Sequence, residues 1–139
     1  MNMLIEFVRD NLLLFAVAII SGAMLLWPML RRGGGGPSVN TLQATQMINR
    51  QDAVVIDVRE DAEYGKGRII GARHIPVSQL DSRMGELQKH KSKPLIAYCD
   101  NGSRAAGAVS MLRKHGFEHA FNLSGGYAAW QQAGLPVEK

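Results

Sequence analysis

A single cysteine stands in the 139 residues, so no internal disulfide can form and nothing ties the chain to an oxidising compartment. Aromatic residues make up only 6% of the chain, and no long basic run occurs. Residues 38–139 carry 13 Lys and Arg against 10 Asp and Glu, with no aromatics interleaved among the basic side chains, which argues against nucleic acid as a partner. Charge is absent altogether from residues 12–30, a run of 19 positions from Leu12 to Leu30. That leaves about 100 residues for one globular domain, in which many of the 15 glycines mark tight turns between short elements.

The uncharged run is long enough to cross a hydrocarbon core at a rise of about 1.5 Å per residue. A cleaved signal peptide is the rival reading. Glu6, Arg9 and Asp10 give the preceding segment no net basic character, and no small-x-small cleavage site follows, so an uncleaved anchor over residues 11–31 is expected. Arg31 and Arg32 flank its far end, which sets the C-terminal domain on the cytoplasmic side of the inner or plasma membrane as a single-pass protein. Residues 1–10 form a short N-terminal flank. Residues 32–39, with Gly33–Gly36, Pro37 and Ser38, read as a flexible tether reaching about 13 Å over six residues. The bilayer is thus an expected partner, and residues 40–139 form the domain.

Asn40 or Thr41 can cap a helix with Leu42, Ala44, Met47 and Ile48 on one face, ending near Arg50. Residues 53–58 and 94–98 are apolar runs of the kind found in parallel strands covered on both faces. Short helices are expected at residues 78–80, 83–90 and 127–132 and a longer one at 103–115, with a third strand around 119–123. Strands alternating with helices predict an α/β fold, a parallel sheet flanked by helices.

Cys99 follows the second of those strands directly and opens the loop C-D-N-G-S-R. Ligands of parallel α/β sheets bind at the carboxyl ends of strands, which makes Cys99 the candidate nucleophile. Backbone N–H groups of residues 100–104, together with the following helix terminus, favour an anionic sulfur. Gly102 permits the left-handed turn, Arg104 offers a guanidinium to an anion, and Ser103 donates to the sulfur or caps the helix.

This loop resembles the C-x-x-G-x-R active-site loop of single-domain rhodanese-like sulfurtransferases. Two further stretches agree: V-I-D-V-R-E-D-A-E-Y-G-K-G-R-I-I-G-A-R-H-I-P from Val55 to Pro76, and L-S-G-G-Y-A-A-W-Q-Q-A-G-L-P from Leu123 to Pro136. The resemblance covers residues 40–136. It implies a rhodanese-like fold and sulfur transfer from thiosulfate or a persulfide donor to a thiol or cyanide through a persulfide on Cys99. Asp100, Asn101, Gly102, Ser103 and Arg104 would bind the substrate, without a metal or organic cofactor. The sulfur donor and the thiol acceptor are the partners so implied.

Asp100 departs from the family, whose thiosulfate enzymes have a basic or neutral residue there. A carboxylate at the lip repels dianions, which favours a persulfide donor over thiosulfate. Arg68 replaces a family His at a position read as structural. Asp57 and Arg59 read first as an ion pair holding a turn, and second as supporting residues at the site. His74 reads as a satisfied turn histidine and Trp130 as core. A cysteine phosphatase would need five residues between Cys and Arg; here four intervene, and Ala105 stands where the phosphatase arginine would be. The remaining alternative is a non-catalytic, membrane-tethered rhodanese module that binds a partner protein.

Overall fold

The computed structural model describes residues 1–31 and 37–139, the side chains of Met29 and Arg31 excepted. The expected glycine run of the tether lies outside the described residues. The N-terminal helices and the domain beyond them are compact units of their own.

In the first unit, helix α1 (Asn2–Asp10) ends at Asn11, whose backbone N–H and side-chain Nδ2 both donate to the Phe7 carbonyl, at 3.2 and 2.9 Å. Helix α2 (Leu12–Arg31) then starts afresh. Helix α2 lies within the expected segment 11–31, and the expected flank 1–10 is itself helical up to Asn11, whose side chain caps α1 and whose carbonyl accepts the Phe15 N–H at the start of α2. Among the described residues no single helix is long and apolar enough to cross a membrane. The pair Asn2–Asp10 and Leu12–Pro28, bent by 77°, has the length and composition together. Phe7 and Phe15 meet edge to face across the bend, with ring centroids 6.2 Å apart.

The second unit contains β1 (Ser38–Val39), α3 (Thr41–Gln51), β2 (Val54–Asp57), α4 (Asp61–Lys66), β3 (Arg68–Ile69), β4 (Arg73–His74) and α5 (Val77–Leu80). It continues with a 3-10 turn (Met84–His90), β5 (Leu95–Tyr98), α6 (Ser103–Lys114), β6 (Ala120–Leu123), α7 (Gly126–Gln132) and β7 (Val137–Glu138). Five strands form an all-parallel sheet in the order β1-β6-β5-β2-β4, and β3 pairs antiparallel with β7. The parallel α/β architecture agrees with the sequence. The tether 32–39 is corrected at its end: Ser38 and Val39 pair with Asn122 and Leu123, so the domain begins inside it.

The sheet is buried on both faces, and the period of two decides where each strand residue points. Ile56, Val58, Leu95, Ala97 and Cys99 join Ala105, Val109 and Leu112 of α6 in one core layer. Val55, Ile96 and Tyr98 join Ala44 of α3 and Tyr127 and Trp130 of α7 in the other. Each fully buried Leu or Ile stabilises the fold by about 1.5–3 kcal/mol. Trp130 is in this core as expected, its Nε1 donating to the Pro136 carbonyl at 2.9 Å. Cys99 thus continues the alternation of β5 on the α6 side, while the Asp57 register partner Tyr98 faces α7.

Candidate active site

Cys99 is completely buried at the carboxyl end of β5. Its Sγ accepts the backbone N–H of Gly102 at 3.1 Å and that of Ala105, in the first turn of α6, at 3.4 Å. The loop therefore curls around the sulfur and aims two N–H dipoles and a helix terminus at it. Gly102 makes the curl with φ of 95°, a left-handed conformation that costs an L side chain roughly 1–2 kcal/mol. The opposite wall of the loop is held by α7. Tyr127 N–H donates to the Cys99 carbonyl at 2.7 Å and Ala128 N–H to that of Asp100 at 3.2 Å. This approach explains the second glycine of L-S-G-G-Y: a Cβ on Gly126 would collide with the carbonyls of Cys99 and Asp100.

Asn101 and Ser103 serve the turn. Asn101 Oδ1 accepts the Ser103 N–H at 3.1 Å and the Ser103 hydroxyl at 2.8 Å, and lies 4.0 Å from Sγ. Ser103 neither donates to the sulfur nor caps α6, whose N-cap is Gly102. Asn122 of β6 supports the loop from below by donating Nδ2–H to the Gly102 carbonyl at 3.0 Å.

Arg104 is not an open anion receptor in this state. Its Nη1 and Nη2 donate to Glu63 Oε1 and Oε2, both at 2.8 Å, and Nη2 also lies 3.4 Å from Asp100 Oδ2. Glu63, on α4, is the residue that sequence reasoning missed. Its hydrogen bonds with Arg104 and Asp100 hold its carboxyl down to about 2, and the same Glu63 bond holds the Arg104 guanidinium above its ordinary value. The neighbouring Asp100 is raised, first by its hydrogen bond with Glu63 and then by partial desolvation.

Asp57 and Arg59 lie on the other side of the sheet from Sγ. Arg59 is 97% buried: Nε donates to both Asp57 oxygens at 3.0 and 3.1 Å, and Nη2 to Asp57 Oδ2 at 2.7 Å and the Gly67 carbonyl at 2.6 Å. Tyr98 donates its hydroxyl to Asp57 Oδ2 at 2.7 Å, and burial followed by the Asp57 charge raises that phenol above its usual range. Burial opposes the Arg59 charge, yet Asp57 outweighs it and holds the guanidinium above its ordinary value. The arrangement is that of a structural ion pair. Arg59 touches the loop only through Nη1, 3.4 Å from Asp100 Oδ1. His74 Nε2 bonds the Arg59 carbonyl at 2.8 Å and its ring stacks on Tyr64, so it is a satisfied turn histidine. Arg68 pairs with Glu138 at 3.2 Å across β3 and β7, a structural place.

Beside Asp100 opens a polar cleft of about 350 Å³ lined by Arg59, Glu63, Lys66, Gly67, Asp100, Tyr127 and Gln131. Among the described residues no group of three His, Cys, Asp or Glu is placed to hold a metal ion.

Comparison with known proteins agrees with this geometry. The chain is 38% identical over 96 residues to the protein YibN of Escherichia coli strain K12, named as uncharacterized, covering 68% of this chain and 67% of that one. It is 32% identical to a protein named sulfurtransferase from Allochromatium vinosum, over 66% of this chain and 84% of that protein. The crystal structure of a rhodanese-related protein from Thermoplasma volcanium superposes with a TM-score of 0.66 at 30% identity, covering 73% of this chain and 97% of that one. The family described as the rhodanese-like domain matches residues 40–133, and the chain belongs to that family.

Proposed function

We propose that the domain is a sulfurtransferase moving sulfane sulfur from thiosulfate or a persulfide donor to a thiol or cyanide through a persulfide on Cys99. The observation that carries this reading is the pair of backbone N–H groups, from Gly102 and Ala105, directed at Sγ. With thiosulfate, the Cys99 thiolate would attack the outer sulfur, the sulfur–sulfur bond of the donor would break, and sulfite would leave with the electron pair. The same two N–H groups would then face the persulfide's negative charge. An acceptor thiolate would take the outer sulfur and return Cys99 to its thiolate. Asp100–Arg104 would form the substrate cradle, with Asp57 and Arg59 supporting it from behind. The presence of a sulfurtransferase among the relatives supports this reading.

A second reading, a rhodanese module that only binds a partner protein, draws support from two features. Sγ has no exposed surface, and Arg104 is closed onto Glu63. A donor can reach the sulfur only when the loop side chains shift. Intact mass after incubation with thiosulfate or glutathione persulfide separates the two readings. One added sulfur in the wild type and none in Cys99→Ala supports transfer, whereas no adduct with either donor supports the module.

The N-terminal helices would hold the domain at the inner or plasma membrane, facing the cytoplasm. Supporting this is the apolar surface that α1 and α2 expose, with Leu4, Ile5, Phe7, Leu13, Ile19, Leu25 and Trp27 all open. The 77° bend suits an amphipathic α1 lying along the lipid surface and an apolar α2 entering it. Arg31 and Arg32, which follow the uncharged run in the sequence, support the orientation. Retention of the full chain in carbonate-washed membranes, with release of a chain lacking residues 1–36, is the expected result.

A further inference from the structure

The five strands of the main sheet run one way, so their amino ends share one edge and the Cys99 loop lies at the opposite one. The turns that feed the amino ends touch one another. Lys93 Nζ, just before β5, meets Asp52 Oδ2, just before β2, at 2.7 Å. Lys91 Nζ, in the same turn as Lys93, lies 5.6 Å from the centre of the Phe117 ring, between α6 and β6. The Leu95 N–H donates to the His119 carbonyl at 2.8 Å, and the Val54 N–H to that of Pro94 at 2.9 Å. Residues 50–53, 89–94 and 113–119 therefore make one continuous surface. It carries Arg50, Lys89, Lys91, Lys93, Arg113 and Lys114 against Asp52 and Glu118, with Asp81 reaching His115 from the side at 3.4 Å. That balance of +3 equals the entire excess of residues 38–139. At the other edge Asp57, Glu60, Asp61, Glu63 and Asp100 outnumber Arg59, Lys66 and Arg104. Arg50, Arg113 and Lys114 also offset the carbonyl ends of α3 and α6, but Lys91 and Lys93 stand outside any helix.

The chain enters the domain from this same edge. Strand β1 is parallel to the rest, and the Pro37 carbonyl just before it accepts the Asn122 N–H at 3.0 Å. Whatever holds the residues before 37 therefore holds the domain by its cationic side. Lys and Arg next to a membrane are drawn to anionic headgroups, an attraction confined to about 8–10 Å at physiological salt. A tether reaching about 13 Å brings the edge into that layer. We infer that the amino-terminal edge of the sheet docks on anionic lipid headgroups through Lys89, Lys91, Lys93 and Lys114 with the flanking Arg50 and Arg113. The Cys99 loop is then turned away from the bilayer, and its donor and acceptor arrive from the aqueous side. This rests on the membrane reading of the N-terminal helices. An acidic protein or soluble phosphate carries the same charge, but the chain's own connection brings only the bilayer to this edge.

The test uses the full chain in lipid nanodiscs, made of phosphatidylcholine alone or of phosphatidylcholine mixed equally with phosphatidylglycerol. Amines are acetylated briefly, and the rate at each lysine is read by peptide mass spectrometry. Lys66, exposed at the Cys99 edge, is the internal reference. The expected result is slowing of Lys89, Lys91 and Lys114 by about threefold or more in the anionic discs, with Lys66 changed by less than about 1.5-fold. Salt at about 0.5 M should remove the difference. The double variant Lys89→Glu, Lys114→Glu alters two exposed side chains and should abolish the slowing at Lys91. Equal rates in the two lipids, equal slowing at Lys66, or slowing that neither salt nor the variant removes overturns the inference. Slowing in phosphatidylcholine discs on addition of inorganic phosphate overturns it too, by assigning the edge to a soluble anion. Release of the full chain from membranes by a carbonate wash overturns the membrane reading and the docking with it. A retained chain with unprotected lysines overturns the docking alone.

Discussion

Replacing Asp100 by Asn removes one charge from the lip of the loop while keeping its shape, and thiosulfate kinetics should respond strongly. The Asp100 side chain is 55% exposed and stands 3.4 Å from both Arg59 Nη1 and Arg104 Nη2. Its carboxylate therefore screens two guanidiniums and repels an incoming dianion. Taking a water-like dielectric because of that exposure, a unit charge about 6 Å from a dianion costs about 1.4 kcal/mol, or tenfold in affinity. Asp100→Asn should lower the thiosulfate KM about tenfold, with kcat changed less than about threefold, because the carboxylate acts on the approaching anion and not on Sγ. Asp100→Arg should go further in the same direction. Steady-state assays at pH 8 keep the carboxylate ionised, and raising ionic strength from 10 mM to 0.5 M should narrow the difference between wild type and variant. An unchanged or higher KM in Asp100→Asn, or a difference indifferent to salt, would refute the electrostatic reasoning.

Three other perturbations follow from the geometry. Glu63→Gln breaks the double hydrogen bond to Arg104, a partly exposed pair worth about 1 kcal/mol at pH 7. Because the folded-state value of Glu63 is depressed from 4.5 to about 2, its stabilisation is present above pH 4.5 and is lost as pH falls toward 2; urea melts across that range should show wild type and variant converging. Arg59→Leu leaves Asp57 buried without its cation and should cost about 3–5 kcal/mol in urea denaturation, whereas a surface-pair value under 1 kcal/mol would contradict the burial argument. Gly102→Ala forces a side chain into the left-handed region and disturbs an N–H that meets Sγ, so persulfide loading should slow on the order of tenfold or more while the melting temperature falls by about 4–16 °C, leaving the domain folded at assay temperature.

Much of the domain was legible because its strands are short continuous apolar runs. Residues 54–57 and 95–98 fell inside the expected segments, and α6 inside residues 103–115, since α6 begins where the loop ends and stops before Gly116. The place of Cys99 at a strand end followed from the same reading. Elements made by distant pairing were not legible. Ser38 and Val39 become a strand only because Asn122 and Leu123 lie beside them, and β3 and β7 need each other across 70 residues. Helix α4 has six residues, one of them Gly65, too few to show a period. Its Glu63 meets Arg104 41 residues away, so no local pattern announced that the expected anion receptor would be closed. The break at Asn11 was not legible either, because the apolar run that follows it reads as one continuous segment.

Whether Cys99 carries sulfur is decided by intact mass spectrometry of the full chain after brief exposure to glutathione persulfide or thiosulfate, with Cys99→Ala beside it. One added sulfur atom is expected on the wild type, removed by a thiol acceptor and absent from the variant. An unmodified wild type with both donors, or an adduct of equal size on Cys99→Ala, would contradict it.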